Sequence, residues 1–186
     1  MNFKSFIPLS ALLLCSFLAP FAYAETPTAN LVGIRQTQER IDVTLNLSGA
    51  GEFAVDAGEV AKIAEAAIVS AGVKLADGNK APSVMVLIHG KTSGGSFEYT
   101  VELAVTASVV SPFAKDHTIR AIIWRDSAVG YFPISWDSQS KKFLKPSGPM
   151  NERVYDSLRE VAIRLTSALK AAETMKRATQ QNILPL

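Results

Sequence analysis

From Arg40 to Leu47 the chain alternates, with Ile41, Val43, Leu45 and Leu47 on one face and Arg40, Asp42, Thr44 and Asn46 on the other. A period of two is that of the pleat, so this segment predicts a half-buried strand. Two glycines between Ser48 and Glu52 mark a turn. The period then lengthens to that of a helix, with Val60, Ile63, Ala64, Ala67 and Ala71 recurring every three or four residues. Asp56 and Glu59 stand at capping-box spacing before that stripe, and Gly72 stands where a left-handed cap would close it. Ala76 to Pro82 reads as a polar loop. Ser83 to Ile88 is almost wholly apolar, which predicts a central strand covered on both faces.

The clearest element follows the Gly94-Gly95 turn. Phe97, Tyr99, Val101, Leu103, Val105, Ala107 and Val109 alternate with Glu98, Thr100, Glu102, Ala104, Thr106 and Ser108, predicting a long strand hairpin-paired with the one before it. Ser111 to His117 reads as a turn. Thr118 to Trp124 reads as a third strand of the meander, with a continuation past Asp126-Ser127 toward Tyr131. Asp137 to Pro149 is polar and proline-containing, hence loop. Pro149 is suited to open a final helix carrying Val154, Leu158, Val161, Leu165 and Leu169 on one face. The element order strand-helix-strand-strand-strand-helix predicts an α+β fold: a mainly antiparallel sheet with two helices packed on one face.

The first 24 residues change the picture of the whole. Lys4, an apolar run from Leu9 to Phe21 and the small-residue end Ala22-Tyr23-Ala24 have the three parts of a cleavable export signal, with cleavage before Glu25. The run is interrupted by Pro8, Ser10, Ser16 and Pro20 and falls short of the roughly 20 residues a spanning helix needs. Cys15 follows Leu12, Leu13 and Leu14, whereas acylation requires a small residue before the cysteine, so lipidation is not expected. The expected organisation is a signal peptide over 1–24, a disordered lead over 25–30, one α+β domain over 31–178 and a C-terminal tail over 179–186. The mature chain is expected to lack a transmembrane helix and to be periplasmic or secreted.

Removal of the leader also takes away the single cysteine, so neither a disulfide nor a thiolate site is expected. Of 19 basic residues only Lys4 is lost, leaving 18 against 17 acidic ones. That near balance argues against nucleic acid as a partner. The mature chain, 186 less 24 or 162 residues, can bury a core without crosslinks.

Candidate chemistry is sparse. Gly90-Lys91-Thr92 invites a phosphate-loop reading, but Met85 stands where that motif needs its first glycine and a strand follows instead of a helix, so a hairpin turn is expected there. His89 and His117 are too few for a histidine zinc site without carboxylates, and each is expected at a strand end or in a loop; no metal and no cofactor are expected. A Ser-His-Asp set has no spacing by which to be excluded, yet no nucleophile-elbow motif is present, and no catalytic residue is assigned. Glu98 and Glu102 share a strand face that reads as solvated surface.

The remaining candidates are aromatic. Trp124, Tyr131, Phe132 and Trp136, with Phe113 nearby, cluster between the last strand and the final helix. Two readings stand side by side: rings that close the core beneath that helix, or an exposed binding surface.

Leu31-x-Gly33-Ile34 at a first strand, Ala71-Gly72-Val73 closing the helix, Tyr99-x-Val101-x-Leu103, Ile123-Trp124 and the terminal amphipathic helix resemble a loose group of small uncharacterised exported bacterial proteins. The element order is also similar to that of the small lipoprotein partner of the outer-membrane lipopolysaccharide translocon, a resemblance of fold only. This chain departs from it in having no lipid-attachment motif. The resemblance implies no catalytic residues. Together these readings point to a non-enzymatic accessory protein of the cell envelope that binds an envelope protein. The alternatives are a module for an apolar small ligand or lipid, or a small hydrolase built from dispersed polar residues.

Overall fold

The computed structural model describes residues 28–48, 55–78, 80–93, 95–111, 117–133, 136–137, 139, 142–143 and 150–181. The leader, Phe113 and the end of the C-terminal tail lie outside the described residues. Leu31 does not begin a strand: Thr28–Leu31 is a single 3-10 turn whose Leu31 is buried against the final helix and the last long strand. Short β1 (Gln36–Gln38) follows, then β2 (Asp42–Ser48) with the expected alternation.

Helix α1 (Ala57–Ser70) starts because Asp56 is extended and its carboxylate accepts from the Glu59 amide at 2.8 Å. It ends because Gly72 turns left-handed at φ 80°. The Gly72 amide then reaches the Val69 carbonyl and the Val73 amide the Ile68 carbonyl, closing the orphan acceptors in a Schellman arrangement. Val60, Ala64, Ala67 and Ile68 form its buried stripe.

After β3 (Lys74–Ala76), which pairs in parallel with β1, come β4 (Ser83–Ser93), β5 (Ser96–Val110) and β6 (Thr118–Pro133). The main sheet has the order β2-β4-β5-β6, with β2 and β4 parallel across the α1 crossover and the rest antiparallel. Gly90-Lys91-Thr92 is therefore strand, not turn: the hairpin closes at Ser93–Ser96, where Gly95 takes φ 85°. Strand β6 runs unbroken through Asp126-Ser127, because both residues pair with β5. A minimal ribbon of β7 (Trp136–Asp137) and β8 (Lys142–Phe143) interrupts the expected loop before α2 (Met150–Gln181).

Both helices pack on one face of the main sheet. Val84, Val86 and Ile88 of β4, Phe97, Val101, Leu103 and Val105 of β5, and Val154, Leu158, Val161 and Leu165 of α2 are sealed there. The other face of β4 carries half-buried Met85 and Leu87 and exposed His89, so this central strand is covered on one side only. Two glycines leave room for aromatic rings that lie over the sheet. A Cβ on Gly90 would lie 2.2 Å from Phe97 Cζ, and one on Gly130 would lie 2.3 Å from Tyr99 Cζ. The slot over Gly130 lets the Tyr99 hydroxyl pass to α2, where it donates to the Arg153 carbonyl at 3.3 Å and meets the Ser157 hydroxyl at 3.1 Å.

Candidate functional site

The pleat sorts every residue of the main sheet onto the helix-covered face or the open one. Four rows cross the open face. Asp42, Met85, Ala104 and Arg125 form the first, and Thr44, Leu87, Glu102 and Ser127 the second. Asn46, His89, Thr100 and Val129 form the third, and Ser48, Lys91, Glu98 and Tyr131 the fourth. The third row, with Ser48, Lys91 and Glu98 of the fourth, lines a shallow concavity of about 340 Å³. Amide, hydroxyl, imidazole and ammonium groups occupy its β2 and β4 side. Its β6 side is Val129, 65% exposed; Tyr131, 72% exposed, is the next residue on that face of β6 and stands outside the lining.

The described rings, Trp124, Tyr131 and Phe132, do not all stand on one face of the sheet. Trp124 pairs with Val105 on the covered face and is buried beneath α2, as in the core-closing reading. Phe132 is half-buried on that face, with the Arg153 guanidinium 5.2 Å from its ring centre. Tyr131 points the opposite way because adjacent strand residues must. Trp136 has its backbone in β7, and its side chain, like Phe113, lies outside the described residues. The chain leaves and re-enters the described residues around Phe113 at the Val110–Thr118 end of the hairpin, roughly 40 Å along β5 from the Glu98–Tyr131 pair.

Histidine 89 lies within β4 on the open face, not at a strand end, and His117 directly precedes β6. Among the described residues no group of three His, Cys, Asp or Glu side chains could hold a metal ion. Val86, Ile88, Phe97, Val101, Leu158 and Leu165, between the sheet and the helices, have no exposed surface.

Two polar clusters escape sequence reasoning. Arg164 of α2 reaches Asp126 of β6 at 2.5 Å, Glu160 at 2.7 Å and the Ser127 carbonyl at 3.1 Å. Desolvation lowers the Arg164 pKa, but the hydrogen bond and charge of Asp126 outweigh it and hold the guanidinium above its ordinary value. At the other end of the open face, Arg120 donates to Ser83 and Thr106, two buried hydroxyls 2.7 Å apart. A second concavity, about 330 Å³, is lined by Gln38, Glu39, Arg40, Ala76, Asp77 and Gly78. There the Glu39 carboxyl is raised above its ordinary value, first by a hydrogen bond with Asp77 and then by the Asp77 charge.

The fold defines a two-layer α+β protein, a mixed four-stranded sheet under two helices. No family model matches the chain, and no curated protein does. Among solved structures it is similar to a minor lipoprotein from Acinetobacter baumannii, at 13% identity and TM-score 0.32 over 75% of this chain and 93% of that one. It is also similar to the rare lipoprotein B from Shewanella oneidensis, at 14% identity and TM-score 0.22 over 76% of this chain and 98% of that one. At such TM-scores neither likeness carries an argument about function. Among the described residues no helix is long and apolar enough to cross a membrane.

Proposed function

We propose that the mature chain is an exported accessory protein of the bacterial envelope that binds a protein partner on the open face of its sheet. The carrying observation is the exposure of Val129, at the rim of a polar concavity, and of Tyr131 next to it on the same strand face. A large ring with a polar tip beside hydrogen-bonding groups is the composition of a protein-binding patch. Export rests on the leader over residues 1–24. Of the aromatic candidates, Tyr131 makes direct contact in this reading, while Trp124 and Phe132 support β6 from beneath.

A photo-crosslinking residue at Val129, set against one at Ile163 on the outer surface of α2, tests the reading in the native envelope. The expected result is one discrete protein adduct from Val129 and none from Ile163. No adduct from Val129, or the same species from both positions, overturns it.

A further inference from the structure

Three polar side chains on the open face form a group of donors with no matching acceptor. The bulge at Ile123, where Val105 pairs with Trp124 but Thr106 with Ile122, adds one residue to β6, so Arg120 and Arg125 share that face although they stand five positions apart. Arg125 meets Glu102 there. Arg120 pairs with no carboxylate among the described residues. Its Nε donates to the Thr106 hydroxyl at 3.1 Å and its Nη2 to the Ser83 hydroxyl at 2.5 Å, and the two hydroxyls are 2.7 Å apart.

A guanidinium only donates, and each hydroxyl has one proton to give. Whichever hydroxyl donates to the other, the second proton finds no acceptor among the described residues. Ser83 and Thr106 are 2% and 6% exposed, whereas Arg120 is exposed. Both deficits have one sign: a positive charge without a counter-charge, and a buried O–H without an acceptor. The hydroxyls engage the side edge of the guanidinium through Nε and Nη2. Its end-on edge, Nη1 with the second N–H of Nη2, has no partner among the described residues.

We infer that this end of the open face is a carboxylate-binding site, and that the group it takes is an aspartate or glutamate of the partner protein. The inference rests on the partner reading above and adds the chemistry of one contact. An end-on guanidinium edge matches a carboxylate with two parallel hydrogen bonds. Arg120 is held by its hydroxyls before the partner arrives, so less side-chain freedom is lost on binding. Ile122, next on that face of β6, and Val110, diagonally across on β5, are 50% and 62% exposed. They suit the apolar neighbours of an acid in a protein segment, which a free inorganic anion lacks. Roughly 35 Å of β6 separates Arg120 from Tyr131, so the two contacts can be tested apart.

A photo-crosslinking residue at Ile122 of the full chain, in the native envelope, tests the site. The expected result is an adduct with the protein that Val129 captures, mapped by mass spectrometry to a segment holding an Asp or Glu. Its yield is expected to fall about tenfold or more with Arg120→Ala, and equally when that acid is neutralised to Asn or Gln. Arg120→Lys keeps the charge and the stem over the two hydroxyls but loses the fork, so a several-fold fall is expected there without a change in folding. An adduct from Val129 with none from Ile122, or an Ile122 adduct indifferent to Arg120→Ala and Arg120→Lys, overturns the inference and leaves the partner reading standing. No adduct from either position overturns both. Asp116, the acid nearest to Arg120 in sequence, lies outside the described residues. In the purified protein the Arg120 Nε–H resonance is expected to stay in place in Asp116→Asn; a shift there means that the site is filled from within the chain and overturns the inference.

Discussion

Gly130→Ala tests how the sheet meets α2. Gly130 does not take a left-handed backbone, so alanine brings no torsional penalty, and its methyl would gain slightly over glycine in a strand. The obstacle is Tyr99: the new Cβ would stand 2.3 Å from both Cζ and Oη and 2.7 Å from Cε1. Tyr99 is 5% exposed and sits beside the sealed Phe97, with ring centres 6.3 Å apart, so it has little room to move. Displacing the ring costs about 1–3 kcal/mol of overpacking. Losing the hydroxyl bonds to Arg153 and Ser157 adds about 1 kcal/mol each. Less the roughly 1 kcal/mol that alanine gains over a strand glycine, the expected destabilisation is about 2–4 kcal/mol, a large part of the stability of an ordinary domain. Urea unfolding, followed by the fluorescence of buried Trp124, should show the midpoint lowered by about 1–2 M. In a Tyr99→Leu background the clash is gone, and Gly130→Ala should be neutral or mildly stabilising. A loss under about 0.5 kcal/mol in the natural background, or the same loss in both, would refute the steric account.

Three further outcomes follow from the polar clusters. Arg164→Ala leaves the Asp126 carboxylate without its guanidinium; at 38% and 24% side-chain exposure, solvent screening holds the expected cost to about 1–2 kcal/mol. Thermal melts at low and high salt would check it, and an unchanged melting temperature would sink it. Thr106→Val removes the hydroxyl that Ser83 and Arg120 share and should cost about 1–2 kcal/mol in urea unfolding; an unchanged midpoint would refute it. The raised folded pKa of Glu39 makes its stability contribution full below the ordinary value of 4.5 and lost as pH rises through the raised one. Carboxyl NMR titration of Asp77→Asn should move the Glu39 midpoint down, and an unmoved midpoint would rule out Asp77 as the cause.

Periods in the chain were legible wherever packing is one-sided. The alternation of β2 and β5, the stripe of α2 and both caps of α1 follow from local rules, because each element writes its buried face into its own residues. Ser83–Ile88 misled because Met85 and Leu87 are apolar yet stand on the open face; an apolar run does not say which side is covered. Gly90 looked like a turn residue, whereas its lack of a Cβ serves Phe97, a neighbour that only strand pairing supplies. The aromatic group looked like one cluster because its members are close in sequence. The strand period separates Tyr131 from Phe132, since adjacent residues of one strand face opposite ways.

The α+β class and the order of the long elements come from the sequence alone, as does the expectation of a leader over 1–24, since these depend on composition and on residues a few positions apart. Tertiary structure decided the rest. Parallel pairing of β2 with β4 placed Asn46 beside His89, register placed Val129 and Tyr131 on the open face, and α2 docking joined Arg164 to Asp126. Each of these joins residues tens of positions apart, through backbone pairing and helix packing that no local period encodes.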